Sequence, residues 1–215
     1  MEINEELAEF LGAFIGDGCL SRYKRSNRPK GEITEVVFTG GWEKDSPYYR
    51  DIIGPILQKN FQVSGSLKHR VDDNSVRFRI FNKSISSFLI EVGFKPGPKS
   101  KNVKIPEAIM NDSSLHQAVL RGIFNTDGTV YRRYSKRYGA QKKEYLGYKV
   151  VQFKSMSKGL IFQIHELLES LGLNPNKVTA SREAWVCRIT SQEEVSKFGK
   201  EIATDHPYHM DRFAK

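Results

Sequence analysis

The sequence predicts an α+β protein made of two similar halves, each with the order helix, strand, strand, helix, strand, strand, helix. The first observation is a repeated segment, because residues 10–18 (FLGAFIGDG) resemble residues 120–128 (LRGIFNTDG). The second is that the hydrophobic pattern after each copy changes in the same order, from period two to helical spacing. A constant offset of 110 residues, which indicates a duplicated unit, relates Gly12 to Gly122, Asp17 to Asp127 and Gly18 to Gly128.

The first half begins with Leu7, Leu11 and Phe14 at helical spacing, which predicts a helix that ends at the first Asp-Gly pair. Residues 32–39 predict a strand. The next helix is predicted from apolar residues at helical spacing, namely Tyr49, Ile52, Ile53, Ile56 and Leu57. Two strands at about 66–71 and 75–81 and a helix at 84–92 complete this half.

The second half repeats this order, with Val119 and Ile123 in its first helix and a strand at 148–154. Its second helix, with Gly172 as a stop, is predicted from Leu160, Ile161, Ile164, Leu167, Leu168 and Leu171. Strands at about 177–182 and 185–190 and a helix at 193–202 follow. Prolines, a glycine and lysines in 94–106 are typical of a connection. We therefore expect an N-terminal half at 1–94, a linker at 95–110 and a C-terminal half at 111–215.

The charge of the chain suggests a polyanionic partner. There are 34 Lys and Arg residues against 25 Asp and Glu residues, which gives a formal net charge of +9. Nucleic acid is the first candidate for such a protein, and a basic surface without a specific partner is the alternative.

Other features exclude several classes of protein. The two cysteines, Cys19 and Cys187, form no CxxC pair, so neither a cysteine zinc site nor a disulfide scaffold is expected. Residues 1–6 are acidic, unlike a signal peptide. No apolar run approaches the roughly 20 residues that span a membrane. We expect an intracellular protein, cytoplasmic in a prokaryote or archaeon and organellar in a eukaryote, that does not interact with membranes.

The strands carry much of the basic charge. In 75–81, Arg77 and Arg79 are predicted to face away from Val76, Phe78 and Ile80. In 185–190, one face holds Trp185, Cys187 and Ile189, and the opposite face holds Val186, Arg188 and Thr190. Two further shared faces are formed by Val150, Gln152 and Lys154, and by Lys68 and Arg70.

The charged residues on these faces are all basic, which favours DNA binding over an ordinary solvated sheet face. In the major groove, arginine would read guanine and Gln152 would read adenine. The long hairpins contain further basic residues, and disordered basic loops are the alternative for them. The residues predicted to bind DNA are Arg22, Lys24, Arg25, Arg28, Lys68, Arg70, Arg77, Arg79, Arg132, Arg133, Lys136, Arg137, Lys149, Gln152, Lys154, Arg182 and Arg188.

Each repeated segment is predicted to be a helix that ends at Asp-Gly, with Gly18 and Gly128 as C-terminal caps. A carboxylate at this end of a helix is electrostatically unfavourable. If Gly12 and Gly122 allow the two helices to pack closely, Asp17 and Asp127 meet and repel each other. A divalent cation relieves both problems, and oxygen ligands suit Mg²⁺. The alternative is that Asp-Gly is only a turn dipeptide.

The two segments resemble the signature of LAGLIDADG homing endonucleases in their single-chain, two-motif form, and look closest to the archaeal, intron-encoded type. The resemblance covers nearly the whole chain, although both copies depart from the signature letters, for example at Gly16 and at Asn125-Thr126. It implies two pseudo-twofold-related αββαββα halves, with antiparallel DNA-binding sheets and with the motif helices paired at the interface. It also implies a monomer without an obligate protein partner, and double-stranded DNA as the substrate in intron homing.

The resemblance also implies site residues and a reaction. Asp17 and Asp127 would be catalytic and bind Mg²⁺, with help from the carbonyls of Gly16 and Thr126. Mn²⁺ would substitute, and Ca²⁺ would support binding without cleavage. Both strands of a long asymmetric target would be cut across the minor groove, leaving 3′ overhangs. Lys83 matches the position of a catalytic lysine.

Some positions depart from the family pattern. The position of Lys83 in the first half falls on Glu193 or Glu194 in the second half. Gly40 and Met156 stand where polar residues that organise water are expected. Gln152 and Lys154 lie nearby and are candidates to substitute.

Two alternatives use the same scaffold: an RNA maturase that binds intron RNA, and a DNA-binding regulator that does not cleave. An intein is not expected, because no nucleophile begins the chain and residues 212–215 lack His-Asn. His206 and His209 are predicted to be residues of a C-terminal tail rather than a metal-binding pair.

Overall fold

The computed structural model describes the backbone of residues 1–25, 28–134, 136–138, 141–143, 147–202 and 206–214. It describes the side chains of residues 1–24, 32–134, 147–202 and 206–214.

The first half has the predicted order of helices and strands. It consists of α1 (Glu5–Asp17), β1 (Gly18–Arg25), β2 (Arg28–Gly41), α2 (Trp42–Tyr48), a π-helical turn (Tyr49–Ile53), α3 (Gly54–Phe61), β3 (Ser66–Arg70), β4 (Ser75–Ile80) and α4 (Lys83–Glu91). The side chain of Asn4 caps α1 by accepting a hydrogen bond from the N–H of Leu7 at 2.8 Å.

The linker region and the second half follow. They consist of α5 (Glu107–Met110), a 3₁₀ turn (Ser113–Leu115), α6 (His116–Asp127), β5 (Gly128–Arg132), β6 (Lys136–Tyr138), β7 (Gln141–Lys143), β8 (Lys149–Ser155), α7 (Lys158–Ser170), β9 (Asn176–Ser181), β10 (Ala184–Ile189), α8 (Gln192–Glu201) and α9 (Pro207–Ala214). The short ribbon β6–β7 lies within the long connection between β5 and β8.

Both halves build the same antiparallel sheet, which confirms the predicted fold class. The strand order is β1-β2-β4-β3 in the first sheet and β5-β8-β10-β9 in the second. The registers also agree: Gly18 lies opposite Phe38, and Gly128 lies opposite Phe153. Each motif helix therefore leads directly into an edge strand at an equivalent place.

Strand alternation buries one face of each sheet against the helices. Val76, Phe78 and Ile80 are buried, as predicted. Val150 and Val186 differ from the prediction, because they share a strand face with polar residues but are only 3% and 1% exposed. Their cross-strand partners are Tyr131 and Lys154, whose long side chains can cover apolar surface.

The segment predicted as a linker packs against the core. Val103, Ile105 and Ile109 are buried, and the hydroxyl of Ser157 donates to the carbonyl of Val103 at 2.7 Å. The connection between the halves is therefore held along part of its length.

The prediction that His206 and His209 belong to a C-terminal tail was wrong. Both side chains are 0% exposed, at the start of α9. The ring of His206 stacks on Tyr48 in the first half, and the ring of His209 contacts Phe124 in the second half. Sequence patterns did not find α9 because its buried residue is a histidine, whereas Tyr208 and Met210 are exposed. No helix in the described part of the chain is long and apolar enough to cross a membrane.

Candidate active site at the paired helices

The pairing of α1 and α6 depends on two glycines. A Cβ atom on Gly12 would lie 2.2 Å from the carbonyl oxygen of Val119, and one on Gly122 would lie 2.1 Å from that of Glu9. Val119 and Glu9 are themselves separated by the repeat offset, so the two contacts are related by a pseudo-twofold axis. The helix backbones meet where any side chain would force them apart.

The ends of the two helices are also equivalent. Gly18 and Gly128 cap α1 and α6, and both are extended, with φ of −77° and −82°. The left-handed conformation common at such caps is absent from this pair, so backbone conformation does not require glycine. Glycine is required instead by the phenylalanine rings of the two helices, because an added Cβ would lie 2.3 Å from Cδ2 of Phe14 or 2.2 Å from Cδ2 of Phe124.

Asp17 and Asp127 are therefore the last residues of two closely packed helices. The Tyr49 hydroxyl donates to Oδ2 of Asp17 at 2.6 Å. Burial raises the pKa of Asp17 to about 7, and the charge of Asp127 contributes to the rise, although the bond from Tyr49 opposes it. Burial also raises the pKa of Asp127, while the charge of Lys99 opposes that rise. The two predicted carboxylates therefore lie close enough that the charge of Asp127 affects the pKa of Asp17.

Lys99, which the sequence did not single out, lies beside these carboxylates. Its ammonium group donates to the carbonyl of Gly16 at 3.0 Å and also to the carbonyl of Ile15. Burial lowers the pKa of Lys99, whereas the charges of Asp127 and Asp17 act to raise it. Lys83, the predicted catalytic lysine, is instead exposed at the first residue of α4. Spacing could not choose between them, because the lysines of the connection follow no repeat.

In the first half, the place expected for a polar side chain at Gly40 is taken by Asp45. A Cβ on Gly40 would lie 2.4 Å from Oδ2 of Asp45, which accepts a hydrogen bond from the N–H of Gly41 at 2.7 Å. The charge of Asp45 also acts on Asp17. A polar group therefore stands close to Asp17 although the sequence has glycine at the expected position.

In the second half, a cavity of about 440 Å³ lies beside Asp127. Lys99, Lys154 and Met156 are among its lining residues. Lys154 thus lies at the site, next to the apolar Met156 where a polar residue was expected. Gln152 is not among the residues that line this cavity.

The polar sheet faces carry only part of the predicted DNA-binding set. Strand register places Lys68, Arg77 and Arg79 on one face of the first sheet. Gln152, Lys154 and Arg188 share the corresponding face of the second sheet. Arg70 lies on the face of Lys68 and pairs with Asp72 and Asp73 at 3.7 and 3.4 Å.

Other predicted DNA-binding residues lie elsewhere. Lys149 lies on the helix-covered face with Val151, and its Nζ donates to the carbonyl of Phe213 in α9, so its prediction was wrong. Arg22 and Lys24 lie on the same strand face as buried Leu20, and Arg132 lies on that of buried Val130, so their exposed side chains reach solvent only beyond the core. Arg133 and Arg182 are exposed, after β5 and in the β9–β10 turn. The side chains of Arg25, Arg28, Lys136 and Arg137 lie outside the described residues.

The expectation that the polar faces carry charge of one sign was also wrong. Glu35 in β2 is 8% exposed and forms an ion pair with Arg79. Its other carboxylate oxygen accepts a hydrogen bond from the Tyr23 hydroxyl at 3.1 Å. The alternation in β4 could not reveal this, because the acidic partner belongs to another strand.

Comparison with known proteins finds a matching family model for the second half and solved structures that share the whole fold. Residues 114–203 match the family model described as a LAGLIDADG-like domain. The chain therefore carries a LAGLIDADG-like domain. Its two-halved fold is that of I-DmoI, whose complex with DNA and Ca has a TM-score of 0.65 and 17% identity, covering 98% of both chains. For the complex of I-DmoI with DNA and Mn, the TM-score is 0.64 at 18% identity, covering 94% of this chain and 98% of that one.

A relative of known sequence is the replication factor C small subunit of Methanocaldococcus jannaschii. It is 32% identical over 180 residues, which make up 82% of this chain. The chain spans 8% of the length of that protein, so the similarity concerns one segment of it.

The donors at the ends of α1 and α6 fit a hard divalent cation. Two carboxylates that burial and mutual repulsion drive toward protonation would be relieved by a cation. Within the described residues, no group of three or more His, Cys, Asp or Glu side chains could hold an ion. Backbone carbonyls, water and substrate phosphate would have to complete the ligand set, as is usual for Mg²⁺. The carbonyl of Gly16, a predicted ligand, already accepts the bond from Lys99. The hydroxyl of Thr126 donates to the carbonyls of Gly122 and Ile123, which leaves its own carbonyl as the predicted donor.

Proposed function

We propose that the protein is a site-specific, double-strand DNA endonuclease of the homing type, acting as a monomer. It hydrolyses one phosphodiester bond in each strand across the minor groove of a long asymmetric target and leaves 3′ overhangs. The observation that carries the proposal is the placement of Asp17 and Asp127 at the touching ends of α1 and α6. Two equivalent acidic positions at a pseudo-twofold axis suit a substrate with two strands of opposite direction.

The residues around this axis supply the other requirements. Asp17 and Asp127 would hold Mg²⁺ or Mn²⁺, with the carbonyls of Gly16 and Thr126, and the cation would polarise the phosphate and activate water. Structures of I-DmoI contain Mn or Ca with DNA, and one of its variants was studied with DNA and Mg. We expect Ca²⁺ to support binding without cleavage.

Lys99 takes the catalytic role first assigned to Lys83. The charges of both Asp17 and Asp127 act on its ammonium group, which is held by its hydrogen bond to the carbonyl of Gly16. A fixed positive charge at this place stabilises the charge that develops on a phosphate during hydrolysis. Tyr49 orients the carboxylate of Asp17 through its hydrogen bond.

The test is cleavage of a library of long duplexes with Mg²⁺, Mn²⁺, Ca²⁺ or EDTA. We expect double-strand cutting at one sequence with Mg²⁺ and Mn²⁺, and loss of cutting in both Asp17→Asn and Asp127→Asn. Each variant should still bind the cut sequence in Ca²⁺. Mapping the ends on both strands tests the 3′ overhangs.

Two results would move the assignment to another function. Sequence-specific binding without cutting in any metal favours the DNA-binding regulator. Preferential binding of a structured intron RNA over duplex DNA, without cutting of DNA, favours the maturase.

A further inference from the structure

In each sheet, an arginine of the last strand of that half donates a hydrogen bond from its Nε to an acceptor on the neighbouring strand. In the first sheet, Nε of Arg79 donates to Oε1 of Glu35, and the guanidinium lies over the ring of Phe81, 5.0 Å from its centroid. In the second sheet, Nε of Arg188 donates to Oε1 of Gln152 at 2.8 Å. A tyrosine contacts each acceptor, Tyr23 at 3.1 Å and Tyr131 at 3.5 Å.

The two arginines occupy equivalent places. Arg79 lies opposite Val37, which lies opposite Cys19, the second residue after Asp17. In the second half, Arg188 lies opposite Gln152, which lies opposite Thr129, the second residue after Asp127. The pseudo-twofold axis that relates the carboxylates therefore also relates the two arginines.

The acceptors are not equivalent, although they hold the same atom. In the register of the first sheet, Val37 corresponds to Gln152, so Glu35 lies two residues earlier in its strand. One acceptor is a carboxylate and the other an amide. Two different solutions that fix the same guanidinium nitrogen indicate that the orientation of these arginines matters, beyond their charge.

We propose that Arg79 and Arg188 each read a guanine, and that these two guanines lie on opposite strands at equal distances from the centre of the target. Because Nε is bound to the acceptor, the terminal Nη1 and Nη2 are the pair that would meet O6 and N7 of guanine in the major groove. Gln152 is then a positioning residue rather than an adenine reader, since its Oε1 is bound to Arg188. This inference rests on the proposed function only in that the sheet faces bind duplex DNA.

The symmetry of the two positions has a consequence for the substrate. Although the target is asymmetric as a whole, it would have guanine at two positions related by the twofold axis, one on each strand. Read along one strand, these positions are a G on one side of the centre and a C at the same distance on the other side. The remaining contacts differ between the halves, because Lys68 and Arg77 lie on the polar face of the first sheet and Lys154 lies on that of the second.

The experiment is selection by binding, which does not require cutting. Full-length Asp17→Asn protein is incubated with duplexes that contain a long randomised segment, in Ca²⁺, and the bound fraction is sequenced. We expect an enriched site with guanines on opposite strands at equal distances from its centre. Arg79→Ala should reduce the preference for one guanine about tenfold to a hundredfold, and Arg188→Ala should do the same for the other.

Matched variants separate reading from positioning. Glu35→Gln, which supplies the amide found in the second sheet, should keep the guanine preference and bind somewhat more tightly because a negative charge is removed. Glu35→Leu should weaken the preference at the position that Arg79→Ala affects. Arg77→Ala, on the same face of β4, should lower affinity and leave both guanines selected.

The outcomes are distinguishable. An enriched site whose base preferences survive both Arg79→Ala and Arg188→Ala overturns this inference alone. So does a loss of preference at positions that are unequally distant from the centre. A library with no enriched sequence overturns DNA recognition itself, and the proposed function with it. Thermal melting of each variant shows whether a lost preference comes from lost folding.

Discussion

Arg121 in α6 reaches across the helix interface and places its Nη1 3.3 Å from Oε2 of Glu9 in α1. The other oxygen of Glu9 accepts a bond from the Tyr48 hydroxyl at 3.1 Å. The repeat offset relates these two residues to Val119 and Leu11, which are buried and apolar. One of two symmetric places is thus an ion pair and the other is not. Pairing α1 with a second α1, or α6 with a second α6, would bury charges without partners, so this asymmetry favours pairing within one chain.

Removing the cation of this pair should destabilise the protein. Arg121→Leu leaves the Glu9 carboxylate, which is 5% exposed, without its positive partner. We expect a loss of about 2–4 kcal/mol in the free energy of unfolding. Adding Glu9→Gln should restore most of it, because the charge is gone and the bond from Tyr48 keeps an acceptor. Urea denaturation measures all of these variants. The exposed pair of Lys59 and Glu6 is the control, and Lys59→Ala should cost less than about 1 kcal/mol.

The helix glycines should tolerate no side chain. Gly12→Ala and Gly122→Ala each place a methyl group against backbone of the other helix, which cannot move without separating the halves. We expect each to lower the unfolding free energy by about 3 kcal/mol. Gly54→Ala is the control, since its nearest neighbour would lie at 3.5 Å, an ordinary contact. Equal stability of Gly12→Ala and Gly54→Ala would contradict the close pairing.

Lys99 and Lys83 should differ in their effect on cleavage. Lys99→Met removes the positive charge beside Gly16 and should slow cutting about 100-fold at saturating Mg²⁺. Lys83→Met, at an exposed helix start, should change the rate by less than about threefold. Single-turnover cleavage, with affinity measured separately in Ca²⁺, separates chemistry from binding. Equal losses of cleavage rate in the two variants would contradict the assignment of the catalytic role to Lys99 alone.

His209 should make the fold sensitive to acid. Burial is the main cause that lowers its pKa from 6.5 to about 3. Between these values the unfolded state binds a proton that the folded state does not, so stability present above pH 6.5 declines as the pH falls toward 3. From pH 7.5 to pH 5, this group alone should remove about 2 kcal/mol. His209→Gln should flatten the dependence measured by urea denaturation.

Most of the fold could be predicted from the repeated sequence pattern. Hydrophobic spacing located the motif helices, the later helices of both halves and strands β2, β3, β4, β8, β9 and β10, because burial against one core imposes the same periods wherever it occurs. The motif glycines and aspartates were found because duplication places each of them twice at one offset. Chain-local signals failed for Lys99 and α9, whose positions depend on which distant segments they pack against.

The sequence by itself determined the two halves, their order of elements, and the two carboxylates at the ends of paired helices. These follow from local hydrophobic periodicity and from the sequence repeat, because two similar segments adopt the same structure. Only the tertiary structure decided that Lys99 lies beside the two carboxylates and that Asp45 occupies the space next to Gly40. It likewise decided that Lys149 faces α9 and that Glu35 and Gln152 hold the two arginines. Each of these depends on which residues of separate strands and helices come within a few ångströms, a property of the folded packing that sequence spacing does not encode.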